Sequence, residues 1–525
     1  MAWPAREGAN RITLDSGRLL ILGAIGAYLL LMLGVGIYYS KKNSTVDDFY
    51  LGGRKLGPLV TAMSAEASEL SSWLLLGLPG VAYLSGICDA SWTAIGLAVG
   101  TYVNWLVVAK RIRVYSHRLG AITVPEFLSK RYHDDKNLLS CIAAVVIVVF
   151  FVPYTASGFA ACGKLFTSLL GLDYLPTMIV CALVIVVYTA MGGFLAASVT
   201  DLIQSIVMTI ALVVVLCFGV QQAGGMDAVL ANAQAMPGYL AMTATHDAAA
   251  NAASPYGAIT IFSTLAWGLG YFGMPHILLR FMAIEDENKL KVSRRIATVW
   301  VVISMAVAVF IGVVGNGMTK VGAVAPLEGS ASETIIVRIA TLLSQFGPLP
   351  ALIAGIILAG ILAATMSTAD SQLLAASSSV SQNLVQDFFG VKLSSKGSLT
   401  VARGTLVVIS VIAVFIARDP NSSVFGIVSF AWAGFGSTFG PAVLAALFWK
   451  RSNRSGVLAG MVAGGVTVFV WKYLVRPMGG IWNIYELLPA FLVNVAVLVV
   501  VSLLTAQPAK EIEQEFSDVQ AAVKQ

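Results

Sequence analysis

An all-α polytopic membrane protein of about thirteen transmembrane helices is the fold class this sequence predicts, and three observations predict it. Apolar runs of 18 or more residues recur from end to end of the 525-residue chain, each long enough to cross a hydrocarbon core of roughly 30 Å. Charged residues make up only 11% of the chain and hydrophobic residues 58%, with a mean hydropathy of +0.83, whereas soluble domains carry about a quarter charged residues. The 33 basic residues are dispersed among alternate connections, so the net charge of +6 reflects membrane topology rather than a nucleic-acid surface.

The candidate spans are 18–39, 57–84, 90–109, 137–170, 174–192, 199–221, 256–279, 296–318, 350–384, 400–417, 422–448, 455–475 and 487–505. Connections after odd-numbered spans, such as "KKNSTVDDFYLGGRK", "RFMAIEDENKLKVSRR" and "WKRSNRSG", hold with the C-terminal tail 24 of the 33 basic residues. The other side holds 8, and Lys164 lies within a span. This asymmetry predicts a segment 1–17 outside, one transmembrane domain over 18–505 in the cell membrane, and a cytoplasmic tail over 506–525. The long connection after the sixth span has no Lys or Arg and falls outside. So does 319–349, whose "ETIIVRIATLLSQF" reads as an amphipathic helix at the membrane surface. The five cysteines show no CxxC or metal spacing and read as small core residues. The polar N-terminus precedes an apolar run with no small-residue cleavage site, so a cleaved signal peptide is not expected.

Two spans are interrupted. The second contains "MSAEASELSSW", Met63 to Trp73, which sets two carboxylates and four serines in an otherwise apolar run. The seventh reads "TLAWGLGYFGMPHILL", where three glycines and Pro275 should unwind a helix. An offset of five spans puts the two in opposite directions across the membrane, as an inverted repeat of five helices requires. Interrupted segments at matching places in two halves point to a transporter's binding site, and unwound backbone is tolerated at that depth only inside protein or beside a cavity. Glycine and serine also serve ordinary helix packing. The register of the two interruptions favours a site.

Carboxylates within spans are few: Glu66, Glu69, Asp201 near the expected cytoplasmic end of the sixth span, and Asp370 in the ninth. Such residues face a bundle interior, a cavity or a cation. In "ILAATMSTADSQLLAASSS", Ala364, Ser367 and Thr368 are spaced i, i+3, i+4 and share one helix face, which Ser371 extends beside Asp370. Hydroxyl and carbonyl oxygens are what a hard cation accepts in place of water. An unwound second span would supply carbonyls opposite this face.

Several motifs resemble the sodium/solute symporter family, and within it the sodium/proline branch: "LGGRKLGPLVTAMSAEASELSSWLLLGLPG", "FVPYTASG", "GGFLAASVTD", "WGLGYFGMPHILLRFMA", "LAATMSTADSQLL" and "VSFAWAGFGSTFGP". The resemblance runs from about Val46 to Lys510. It implies a ten-helix inverted-repeat (5+5) core, with repeats over about 57–221 and 256–448, one extra helix before it and two after. It implies sodium-coupled uptake of L-proline by alternating access, with Na+ as the co-transported ion. Sodium would be held by backbone oxygens of Ala67, Leu70 and Ala364 and by the hydroxyls of Ser367 and Thr368. Proline would lie among Tyr154, Trp267, Tyr271 and Pro275, its carboxylate near Ser68 and Ser71. Arg54 and Asp201 match positions the family links to coupling and ion passage. Where the proline branch reads Ala-Ser-Asp-Met-Ser-Gly, this chain has "ASELSS", so Glu69 and Ser72 alter the neighbourhood of the ion. Asp370 and Ser371, with Asp201, would suit a second sodium.

Other readings stay open. The solute could be another small amino acid or a monocarboxylate. A membrane-embedded enzyme is disfavoured by only four histidines, no HExxH and no nucleophile–base pair. A sensor is disfavoured because only a short charged tail follows the last span. A passive channel would be exposed by downhill flux that ignores sodium. No obligate protein partner is evident.

Overall fold

A computed structural model describes residues 14–41 and 46–524 of the chain. Residues 1–13 of the expected outside segment 1–17 lie outside the described residues. Among the described residues, helix covers all thirteen expected positions. Ten of these helices are long and apolar enough to cross a membrane unbroken. The second and seventh spans are interrupted, and the fifth runs as continuous helix into the sixth.

The second span is two helices, Pro58–Leu75 and Gly77–Ser85, and the first of them is itself broken at Ser71 (φ 43°, ψ −168°). The seventh runs as helix over Ala258–Leu265, tightens to a 3-10 turn over Ala266–Gly273, passes through extended Met274 and restarts at Pro275, giving Pro275–Ala283. Proline at the first helical position lacks only an N–H that would be orphaned anyway. The fifth and sixth spans form one helical run, Tyr174–Gln222, divided by the single left-handed residue Gly193 (φ 66°). The expected connection between them is therefore far shorter than the sequence suggested. Asp201 sits about 12 Å up the sixth span from this divide.

Burial ranks the spans. Within their most apolar windows, 83% of the eleventh span (Val424–Phe448) and 72% of the ninth (Pro348–Phe388) are buried, against 28% of the first and tenth. The ninth and eleventh are the axis on which the others pack; they touch the second, fourth, sixth and seventh spans. The outer spans turn large apolar side chains such as Leu30 (71% exposed) and Phe415 (66%) outward, which suits lipid contact. Close approach at the centre depends on glycine. A Cβ on Gly268 would overlap the carbonyl of Gly96 in the third span, and one on Gly270 would overlap the Trp432 indole in the eleventh.

The connections are more structured than composition implied. The one after the sixth span folds into a helix, Met226–Ala235, and a hairpin pairing Ala244–Asp247 with Ala252–Pro255. Tyr239 fastens it to the bundle by donating to the carbonyls of Ala82 and Tyr83. The expected membrane-surface helix corrects to Ile335–Leu343, whose apolar face is buried against the bundle with Arg338 turned outward. The turn before it explains the docking. Glu333 accepts hydrogen bonds from Ser423 Oγ and from the N–H groups of Val424 and Phe425 at the start of the eleventh span. It also pairs with Lys164 of the fourth span at 2.6 Å, both side chains being at most 7% exposed. A carboxylate at a helix N-terminus complements the dipole, and Lys164 gains there the partner that a cation inside a span needs.

Removing one member of a buried ion pair leaves the other uncompensated, which costs about 3–5 kcal/mol. Lys164→Met and Glu333→Ala should each lower the apparent melting midpoint of detergent-solubilised protein by several degrees. The double variant should recover part of the loss. An unchanged midpoint in both single variants would show that the pair does not hold this end together.

Candidate functional site

The break at Ser71 rearranges backbone hydrogen bonding in a way the atoms make explicit. In an intact helix the Trp73 N–H would meet the Glu69 carbonyl. Here the Trp73 N–H bonds Ser71 Oγ at 3.3 Å, while the Glu69 carbonyl accepts from the Tyr154 hydroxyl of the fourth span at 3.0 Å. Helical bonding resumes with Leu76 N–H to the Ser72 carbonyl. Side chains thus take up the backbone groups that the break sets free, as the membrane interior demands.

Opposite the break lies the hydroxyl face of the ninth span. Ser367 Oγ lies 2.9 Å from the Ala67 carbonyl and 3.1 Å from the Ala364 carbonyl, and Thr368 Oγ1 lies 3.2 Å from the latter. Four of the five oxygens expected to hold sodium therefore converge from two helices, all on buried residues. Each hydroxyl retains lone pairs that face a cation once its proton turns away. Leu70, three residues on from Ala67 and so on the same side of the helix, is fully buried just before the break. Among the described residues, no side chain of the ninth span bonds its carbonyl.

The expected substrate residues divide. Tyr271 donates to Glu69 Oε2 at 2.7 Å and Tyr154 to the Glu69 carbonyl, so both tyrosines close on one residue of the broken helix. Ser71 and Tyr154 line a narrow crevice with Ser72, Thr365, Thr368 and Gln372, which reaches the expected sodium ligand Thr368. Trp267 stacks on Tyr485 at 5.0 Å within a group of rings that includes Trp73, Phe425 and Trp432. Its carbonyl accepts from Trp432 Nε1 at 2.8 Å. Pro275 is buried at the restart of the seventh span. Ser68 turns away: its hydroxyl donates to the Ala65 carbonyl of its own helix.

Below this face is a buried charge cluster centred on Arg280. Its Nη2 pairs with Asp201 Oδ2 at 3.2 Å and reaches Ser371 Oγ at 2.5 Å, its Nε meets Ser64 Oγ at 3.0 Å, and its Nη1 donates to the His276 carbonyl at 2.9 Å. Ser64 donates to Asp201 Oδ2 at 2.6 Å. Ser371 lies 2.9 Å from the Ser367 carbonyl and 3.2 Å from Asp370 Oδ1. The second, sixth, seventh and ninth spans are tied in one network. Asp201 is fully buried, and the sixth span begins at Gly193, so it lies deeper in that helix than the expected start at 199 implied. Arg280 was counted among loop cations because it follows the last apolar residues of its span; a base one turn beyond Pro275 in "PHILLR" is the signal that could have found it. Gln372, which accepts from Thr155 Oγ1 at 3.3 Å, was missed too.

Arg54 lies away from these oxygens, at one end of the two broken helices. It donates to the carbonyls of Met282 (2.7 Å), Ala121 (2.6 Å) and Ser116 (3.4 Å). Burial lowers its pKa to about 10, which leaves it a cation at neutral pH. Beside it, Leu56 N–H bonds the Ala283 carbonyl at 3.1 Å and Glu285 N–H bonds the Leu56 carbonyl at 3.0 Å, zipping the second and seventh spans together.

The profile of the Sodium:solute symporter family matches residues 49–464. The osmoregulated proline transporter OpuE of Bacillus subtilis is 39% identical over 96% of this chain and 99% of its own length. The sodium/proline symporter of Haemophilus influenzae is 41% identical over 96% of this chain and 98% of its own. The solved structure of a Na+-coupled sialic acid symporter shares the fold, with a TM-score of 0.75 at 18% identity over 93% of this chain and 99% of that one. With two interrupted helices meeting a hydroxyl face at the centre of the bundle, the chain is a multi-pass membrane protein that belongs to the sodium:solute symporter family.

Proposed function

We propose that the protein couples the inward movement of Na+ to uptake of L-proline by alternating access. The observation that carries this reading is the meeting of Ser367 Oγ with the Ala67 carbonyl across the break in the second span. The names of the relatives supply the solute. The ion would be bound by the backbone oxygens of Ala67, Leu70 and Ala364 and the hydroxyls of Ser367 and Thr368. Proline would bind where the adjoining crevice between Tyr154 and the break at Ser71 opens toward the seventh span, with Tyr271, Trp267 and Pro275 on that span. The basic-residue asymmetry supports an outside N-terminus and a cytoplasmic tail, with the repeats over about 57–221 and 256–448. Arg54 would then clasp the cytoplasmic end of the broken helices, and Glu333 with Lys164 the outer end.

Asp201, Asp370 and Ser371 could serve a second ion. The guanidinium of Arg280 already lies against Asp201 and Ser371, which supports one sodium per cycle with Arg280 as a built-in cation. One charge moving through about 100 mV supplies roughly 2.3 kcal/mol toward accumulation. A different small amino acid or a monocarboxylate is the second reading, since several polar groups at the crevice are hydroxyls and amides that do not specify one solute.

In proteoliposomes with an inward sodium gradient, wild type should accumulate labelled proline. Ser367→Ala with Thr368→Ala should raise the sodium concentration for half-maximal uptake about tenfold or more, because two oxygens that replace water are lost. Uptake indifferent to sodium would sink the symport mechanism.

Arg280→Lys should lower the initial uptake rate about tenfold or more, since an ammonium cannot span Asp201, Ser371 and the His276 carbonyl as a planar fork does. A rate equal to wild type at equal protein would remove Arg280 from the cycle.

A further inference from the structure

The helix Lys510–Lys524 follows the last span and carries Ile512, Phe516 and Val519 at i, i+4 and i+7, all three buried. Phe516 covers Arg131, which is fully buried at the end of the helix Val124–Arg131. Arg131 Nε donates to the Ala446 carbonyl of the eleventh span at 3.1 Å. Among the described residues, its Nη1 and Nη2 have no hydrogen-bond partner. The guanidinium lies instead over the rings of Tyr132, Phe516 and Tyr115, at 4.8, 5.1 and 5.5 Å from their centres. Of these three rings, Phe516 is the one that the helix Lys510–Lys524 supplies.

Polar contacts on either side of Phe516 reach two different parts of the bundle. Gln520 Nε2 donates to the Leu447 carbonyl at 2.8 Å and Glu513 pairs with Lys450 at 3.4 Å, both at the end of the eleventh span. Asp518 pairs with Arg118 at 3.1 Å, and Glu515 meets His133 at 3.1 Å. The side chains of these three pairs are between 30% and 50% exposed, so each contact is weak and salt weakens it further. Arg118 ends the helix Ala109–Arg118, which continues the third span. The same helix takes part in the Arg54 contact: Ser116 accepts from Arg54 through Oγ at 3.3 Å and through its carbonyl at 3.4 Å, and Arg113 Nε donates to the Ile284 carbonyl at 2.7 Å. Arg118 follows Ser116 by two residues, roughly 200° around the helix. One short helix is therefore held by the two broken spans on one side and by Lys510–Lys524 on the other.

We propose that the helix Lys510–Lys524 is a strap that holds the Arg54 end of the bundle closed and loosens when salt screens its charged contacts. This rests on the alternating-access reading and deepens it. Opening at this end parts the Leu56–Ala283 and Glu285–Leu56 backbone bonds and withdraws Arg54 from its carbonyls. The helix Ala109–Arg118 packs on Pro275–Ala283 of the seventh span. While the strap ties it to the eleventh span, it cannot follow the seventh span away from the axis. The unpartnered nitrogens of Arg131 favour release, because water supplies the acceptors that docking denies them. Weak pairs and a poorly solvated cation leave the docked and released states close in free energy, as a switch requires.

The test is amide hydrogen exchange of the detergent-solubilised protein, comparing the full chain with one ending at Pro508. Truncation should speed exchange in the peptides containing Leu56 and Glu285 by about threefold or more. Peptides containing Val424 and Phe425, at the Glu333 end, should change by less than about twofold. Phe516→Ala, and Glu513→Gln with Asp518→Asn, should each reproduce part of the effect in a chain of full length, which covers the case of a truncated chain that folds poorly. Asp518→Arg should also speed exchange, and Arg118→Glu added to it should restore the slow rate. Raising potassium chloride from about 50 mM to about 500 mM should speed exchange at Leu56 and Glu285 in the full chain and leave the truncated chain unchanged. Faster exchange confined to residues 109–131 and 446–454, which the helix covers, with Leu56 and Glu285 unmoved, overturns the strap and leaves only local packing. An equal salt response with and without the helix overturns it too. Proline uptake that ignores sodium, with the exchange difference intact, sinks the symport reading alone; sodium-dependent uptake with no exchange difference sinks the strap alone.

Discussion

A guanidinium enclosed by protein is the contact on which the centre of this bundle depends. Arg280 is buried, and its N–H groups end on oxygens from four spans: Asp201, Ser64, Ser371 and the His276 carbonyl of its own span. A buried ion pair is weak evidence for stability, because desolvation cancels much of the attraction. Its value here is geometric. A planar fork fixes the relative position of the helices that carry its acceptors, and two of those helices also carry the oxygens proposed to hold sodium. Ser371 makes the link direct, since the hydroxyl that meets Arg280 is also 2.9 Å from the Ser367 carbonyl.

The second constraint is the absence of solvent for backbone groups at this depth. Breaking the second span at Ser71 is possible because Ser71 Oγ and the Tyr154 hydroxyl each take over one half of the lost Glu69–Trp73 bond. The seventh span needs a different solution. Its glycines let the third and eleventh spans press backbone against backbone, and the carbonyls of Trp267 and Tyr271 are met by Trp432 Nε1 and Asn104 Nδ2. In both cases a neighbouring helix completes the broken one, so the breaks are properties of the assembled bundle.

Much of this was legible in the chain because membrane spans and helix breakers act locally. The thirteen helical positions follow from apolar length, the interruptions from "GLGYFGMP" and the serine-rich "ASELSS", and the shared face of Ala364, Ser367 and Thr368 from 3.6-residue periodicity. What was hidden depends on contacts between residues far apart. Arg280 and Glu333 are ordinary loop charges in a linear reading; they become internal only through Asp201 and Lys164, 79 and 169 positions away. The same holds for the helix Ile335–Leu343. Its amphipathic pattern states that one face is buried but not whether lipid or protein covers it. Leucine at position 70 and the orientation of Ser68 toward its own helix lie at the same limit, since side-chain type does not reveal which carbonyl a hydroxyl will choose.

On the proposed reading, coupling follows from placing two ligands at one interrupted turn. Sodium draws Ala67 and Leu70 toward the ninth span, while the solute engages Ser71 at the adjoining crevice. These residues lie within five positions of backbone, so neither ligand can settle without setting the turn for the other. Such a coupling is reciprocal by thermodynamic necessity: whatever sodium adds to solute affinity, solute adds to sodium affinity. The Arg280 network then decides how far that local setting is felt. It joins the turn's own helix, through Ser64, to the second half of the seventh span, so on that reading a shift of the second span is transmitted to the stretch where Arg54 and the Leu56–Ala283 bond tie the two broken helices together. A site of hydroxyls and carbonyls would bind an ion; on the proposed reading, its connection to a rigid buried fork is what would let ion binding move a helix.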